Sequence, residues 1–347
     1  MDLVNKTRYS AALATTVIGQ DLMMASLIIK TCFAVENGRL RPLQDQSWPI
    51  GQPVKTEFGD FDEESPFRKQ GIDVIVLGKV YPSDTGPANR ASFELQVGDL
   101  RYPMAVFGDR RWVRRGDKLV ASEAEPFESI ALTWQNAYGG KCPVETGDMP
   151  YHYNPVGRGF YLSEETAENG LLPNIEDPEN PVSSWQDQPE PRGVAPLSRE
   201  SSIRVMNSAE FDNDASPPTV KIIKPSYYNN ANPELILPEL PPAGTPIRAV
   251  GVRPGGADFA FSLPGGTFHN YIQLADRGFV FPAHLESIVL LTEVEQVMLG
   301  FRCCFRYPLR QLERRVAVLY GGPAPASIPR EYVIDWATFD ESEVVNA

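Results

Sequence analysis

Apolar residues recur at every second position along much of the chain. Leu27, Ile29, Thr31, Phe33 and Val35 alternate with Ile28, Lys30, Cys32 and Ala34, and Gly38 follows. Successive side chains of a strand point to opposite faces, so this run predicts a strand closed by a turn. The stretch 72–81 (IDVIVLGKVY) is apolar on nearly both faces and predicts a central strand buried on both sides. Phe93, Leu95 and Val97, then Gly98-Asp99, then Tyr102, Met104 and Val106 predict a hairpin. Ile130, Leu132 and Trp134 form a further alternating set. Strand patterns return at 219–223, 235–237, 247–252, 258–263, 268–274 and 287–291. A turn is expected at 293–296, then a last strong strand with Val297, Leu299, Phe301, Cys303 and Phe305 on one face.

The stretch 139–218 breaks this rhythm. It is rich in Pro, Gly, Asn, Asp and Glu, and 174–191 (NIEDPENPVSSWQDQPEP) is its most loop-like part. So long a connection without periodicity is either an ordered excursion with its own contacts or a partly mobile surface. Long amphipathic helices are scarce, and no heptad or short-period repeat is present. The expected fold is therefore mainly β: antiparallel or sandwich-like sheets, long irregular Pro/Gly-rich loops and little helix. The expected organisation is an N-terminal β region (1–138) and a loop-rich region (139–218). A C-terminal β region packed on the first (219–322) and a fraying tail (323–347) follow.

Composition narrows the function. Of the 347 residues, 42% are hydrophobic and 22% charged, enough for a sizeable core without staples. The 32 prolines fit short elements and many loops. A formal net charge of −13 repels phosphate backbones, so direct nucleic-acid binding is not expected. The opening MDLVNKTRYSAALATT has no secretory pattern, and no apolar run reaches the roughly 20 residues of a membrane span. Cys32, Cys142, Cys303 and Cys304 do not make a disulfide framework, which fits a reducing cytoplasm.

No catalytic, cofactor or metal set emerges. The three histidines, His152, His269 and His284, lie outside any HExxH pattern, and Cys142 with His152 lacks a second ligand pair. Cys303 and Cys304 fall on opposite faces of a strand, which suits burial better than redox work. Nucleophile-elbow, phosphate-loop and dinucleotide fingerprints are missing, and the paired glycines read as turns or bulges. Two well-placed carboxylates suffice for glycoside hydrolysis. Among 45 acidic residues, however, a chance pair such as one drawn from Asp60, Asp62, Glu63 or Glu64 is expected.

The denser signals are polar turns. In FGDRRW (107–112), Asp109 is placed to accept from backbone amides while Arg110 or Arg111 pairs nearby. NPVGRGF (154–160) joins an Asn-Pro turn to two glycines and Arg158, and LPNIEDP (172–178) offers Asn174, Glu176 and Asp177. Arg158 is expected to bond a carboxylate of that second segment and pin the middle region. The other reading is that these turns display a docking surface.

Taken in order, these segments resemble a bacterial family, domain of unknown function family 2169. They are SLIIKTCFAV (26–35), FGD (58–60), DVIVLGKVY (73–81), FGDRRW, EPF (125–127), AYGG (137–140), NPVGRGF, LPNIEDP and MLGFRCCFRYP (298–308). The run before AYGG is TWQN (133–136), where the family tends to a Tyr-Glu-Arg-like run. The stretch after Phe211 also matches only loosely. These departures touch the partner-specific surface more than the fold.

The resemblance implies a cytoplasmic adaptor or chaperone for type VI secretion. Such a protein binds one secreted effector or toxin and helps load it onto a VgrG-type spike or PAAR protein. It implies no catalysis, no cofactor, no membrane partner and no direct nucleic-acid partner. The motif residues carried over as structural or partner-binding are Asp60, Asp109, Arg110, Trp112, Tyr138, Asn154, Arg158, Phe160, Asn174, Glu176 and Asp177. Strand addition at a sheet edge is one expected docking mode, and an acidic adaptor could also shield a basic toxin. The competing readings are a carbohydrate-active enzyme with paired carboxylates and a structural component of a phage-tail-like assembly.

Overall fold

A computed structural model describes residues 1–309 and 315–321, apart from 84, 85, 213, 218, 267, 275 and 276. The expected tail, 323–347, lies outside the described residues. The fold is mainly β, and its α-helices among the described residues are two short ones, Glu164–Ala167 and Ser202–Ser208.

The longest apolar runs build the largest sheet. Leu22–Glu36 pairs antiparallel with Gln296–Pro308, in register from Ala34 opposite Gln296 to Leu22 opposite Pro308. The sheet continues through Arg277–Leu291, Phe268–Leu274 and Arg315–Gly321 to Asp2–Asn5 on one side, and ends at Ser10–Gly19 on the other. Ile72–Leu77 runs parallel to the second half of Arg277–Leu291, and Ile236–Leu237 lies beyond it. All six residues of Ile72–Leu77 are buried, as a strand without polar alternation requires.

A second, antiparallel sheet has the order Ile175–Glu176, Leu100–Phe107, Arg90–Val97, Pro246–Arg253 and Ala257–Ser262. The expected hairpin is there, with Val97 opposite Leu100 across Gly98-Asp99. Ala91, Phe93, Leu95 and Val97 point inward while their neighbours face outward. Phe93, Tyr102, Ile247 and Phe259 of this sheet join Ile75, Ile288 and Leu299 of the larger one in a single continuous core.

Three elements differ from the sequence pattern. At 130–134 only Ile130–Ala131 pairs as a strand, and Trp134–Asn136 turns into a 3-10 helix. The Trp134 indole N–H donates to the Ala195 carbonyl at 3.1 Å, which draws the ring out of any strand alternation. Thr219–Ile223 is a strand, but all five of its residues are exposed, and it pairs with Ala209–Asp212 in a ribbon outside the core. Ser10–Gly19 (SAALATTVIG) is a strand with no strong alternation, because its small residues are half-buried on both faces.

The loop-rich middle is ordered by contacts of its own. Tyr138, Cys142, Tyr151, Phe160 and Leu172 pack around Trp112 in a separate apolar cluster. The sheet of Ile175–Glu176 against Leu100–Phe107 ties this layer to the scaffold.

Candidate functional site

Two motif glycines determine how this layer closes. Tyr138–Gly139 pairs in parallel with Arg158–Gly159, so AYGG and NPVGRGF lie against each other. A Cβ at Gly139, whose φ is +143°, would collide with the Asn154 backbone oxygen, and one at Gly157 would collide with the Asn154 side chain and the Ala137 oxygen. Buried Asn154 then fixes the turn, its amide donating to the carbonyls of Trp134 at 2.8 Å and Tyr138 at 3.0 Å.

The other motif residues cross-link the layer from behind. The Asn174 amide donates to the Phe107 carbonyl and to Asp109 Oδ1, both at 3.0 Å. Arg110 pairs with Glu176, donates to the Pro173 carbonyl at 2.9 Å and stacks 4.0 Å over the Phe107 ring. Glu176 is buried, and its second oxygen accepts from the Val182 amide at 3.2 Å. Asp177 faces Arg192 at 3.7 Å. The Tyr138 hydroxyl donates to the Asp187 carbonyl at 2.7 Å, and burial raises its pKa. Trp112 and Phe160 are core residues of the cluster.

The expectation for Arg158 is corrected. Its guanidinium reaches Asp109 at 3.3 Å, the Asn136 side chain at 2.9 Å and the Gln135 carbonyl at 3.2 Å, not Glu176 or Asp177. Pairing with Tyr138–Gly139 places Arg158 beside residues 135 and 136, on the side where Asp109 lies. Glu176 goes to Arg110 instead.

In front of this layer lies an open groove of about 630 Å³. Segments 56–60, 131–135, 153–156 and 196–203 supply its walls. FGD and the Asn-Pro turn of NPVGRGF, about a hundred residues apart in the chain, thus meet on one surface. Buried Trp134, Leu197 and Ile203 give the groove an apolar floor. Val156 is 55% exposed beside it. Among the motif residues, Asp60 and Asn154 line the groove, and Asp60 accepts weakly from the Thr56 amide at 3.4 Å.

Sequence reasoning missed a buried ionic seam on the larger sheet. Arg302 lies opposite Ile28, so it shares a face with Lys30 on the neighbouring strand. The segment 62–69 crosses over that face. Glu64 pairs with Lys30 and, at 2.8 Å, with Arg302, which also grips Glu286. Lys69 donates to Asp73 at 2.8 Å and to Ser287 at 3.0 Å. Asp73, fully buried, also accepts from the Asn229 side chain at 2.8 Å and the Asn230 amide at 2.9 Å. Asp62 pairs with buried Arg204 at 2.7 Å. Burial alone would raise the Glu64 carboxyl, but Lys30, Lys69 and Arg302 outweigh it and hold the group well below the usual carboxylate range. For Lys69, burial would lower the pKa, and Asp73, Glu64 and Glu286 reverse that and raise it. The available signal was Lys30 and Arg302 inside apolar strands, since a buried cation requires partners.

Cys303 is buried in the core, where burial pushes its thiol up to about 12, while Cys304 on the other face contacts Ser26 at 3.1 Å. Among the described residues, no three His, Cys, Asp or Glu side chains gather as a metal site, and no helix is long and apolar enough to cross a membrane.

The fold and site define a mainly β protein with a loop-built groove held open on a cross-linked polar layer. The chain belongs to the family described as an uncharacterized protein conserved in bacteria (DUF2169), which matches residues 20–302 and so spans both the groove and the seam. No curated protein and no solved structure matches the chain.

Proposed function

We propose that the protein is a non-enzymatic, cytoplasmic adaptor that holds a type VI secretion effector and helps load it onto the VgrG/PAAR spike, with the groove as its docking surface. One observation carries this reading. The motif segments FGD and NPVGRGF converge on a single open, apolar-floored groove, and Arg158 ties the Gln135 carbonyl of its wall to Asp109. A preformed concavity with an apolar floor and a few convergent polar groups suits recognition. Its shape is fixed by Asn154 and Trp134 hydrogen bonds, so little ordering is needed on binding.

The buried carboxylates do not favour the hydrolase reading. Glu64 and Glu286 both engage Arg302, and Glu64 is held ionised, whereas a glycosidase acid needs a raised pKa.

The test is affinity capture with the tagged full-length chain from a bacterium expressing its secretion system, read by mass spectrometry beside a Val156→Asn variant, which removes the apolar contact without adding charge. The expected result is recovery of a spike protein or a toxin-bearing effector by the wild type and its loss with the variant. Recovery of neither by the wild type contradicts the adaptor reading.

A further inference from the structure

The rim of the groove carries charge of one sign. Glu57, Asp60 and Glu200 are exposed and line it, and no Lys or Arg does. None of the three carboxylates is in an ion pair among the described residues. Two arginines beside the groove are engaged elsewhere. Arg199 turns to Asp62 at 3.8 Å and to the Glu63 carbonyl, and Arg158 is held by Asp109 and Asn136. Like charges on the rim of one cleft, over a low-dielectric floor, focus a negative potential into it. The chain as a whole carries −13, which reinforces that field and disfavours a second copy as the occupant.

We propose that the groove takes a cationic, extended segment of the partner protein: an apolar side chain seated beside Val156 and Ile203, flanked by Lys or Arg side chains that reach Glu57, Asp60 and Glu200. This rests on the reading of the groove as the docking surface and adds the chemistry of what docks there. A volume of about 630 Å³ lies in the range of ligand-binding clefts, roughly 300–1,000 Å³, and holds a short stretch of chain rather than one side chain. A polyanion such as a nucleic acid meets only repulsion at this rim.

The experiment selects a phage-displayed random octapeptide library on the full chain and on the triple variant Glu57→Gln/Asp60→Asn/Glu200→Gln. The three positions are exposed, and the variant's urea midpoint should match the wild type. The expected result is selected peptides with Lys and Arg enriched about three-fold or more around an apolar residue on the wild type, and no basic excess on the variant. A synthetic copy of the top peptide should bind the variant about ten-fold more weakly, and weaken similarly on the wild type as salt rises. Peptides lost on Val156→Asn but without basic excess, or bound equally by the triple variant, overturn the charge claim and leave the docking reading standing. No enrichment, or peptides indifferent to both variants, overturns both.

Discussion

The seam on the large sheet and the layer behind the groove both use arginine–carboxylate pairs to fasten loops over strands, but to different ends. In the seam, Lys30, Lys69, Arg204 and Arg302 meet Asp62, Glu64, Asp73 and Glu286, so buried charges balance. In the layer, one buried pair, Arg110–Glu176, is surrounded by side chain-to-backbone hydrogen bonds from Asn154, Asn174 and Tyr138. The seam fastens its loop over the sheet with every charge paired, and the pocket beside Lys69, Glu286 and Arg302 is smaller than the groove, about 270 Å³. The layer holds its turns apart and leaves a groove with unpaired carboxylates at the rim. A charge neutralised inside specifies how the loop lies, whereas a charge left at an open edge is available to a partner.

Single substitutions should separate the two regions. Arg302→Met strands Glu286 and leaves Glu64 to Lys30 alone, and should lower unfolding free energy by about 3–5 kcal/mol in urea titrations. Adding Glu286→Gln should recover part of that loss. Asn154→Ala leaves the Trp134 and Tyr138 carbonyls without their donor and should lower stability by about 1–3 kcal/mol. Unlike the seam substitution, it should also weaken partner binding, because it loosens the groove wall.

The pH profile sharpens the contrast. Glu64 is depressed in the fold, so its contribution is present above the unfolded value of about 4.3 and is lost as pH falls through the folded value. Lys69 is raised, so its contribution is present below about 10.4 and is lost as pH rises through the folded value. Stability should therefore hold level between those limits, and Glu64→Gln should flatten the acid limb. A variant with the wild-type acid limb would mean that the seam does not stabilise through Glu64.

The sheets were legible because their residues repeat with period two: Phe93, Leu95 and Val97 point inward as read, and Val297 to Phe305 forms the core face of its strand. Ser10–Gly19 was not legible, since its alanines and threonines give little contrast between faces. Nor could the pattern at 219–223 reveal that its strand stands outside the core. The motif residues were readable as turns, and the structure gathers those from Asp109 to Asp177 into one layer, with Asp60 across the groove. Their partners were not, because Arg158 finds Asp109 through strand pairing rather than through the nearest acidic segment. The seam joins residues 30, 64, 69, 286 and 302, a constellation that only tertiary structure assembles.

The central claim is that the partner docks in the groove, and the most direct measurement is amide hydrogen exchange of the full chain with and without its captured partner. The account predicts slowed exchange in 56–60, 131–135, 153–156 and 196–203, with the exposed ribbon of Thr219–Ile223 unchanged. Protection confined to that ribbon, with the groove segments exchanging as in the free protein, would contradict it.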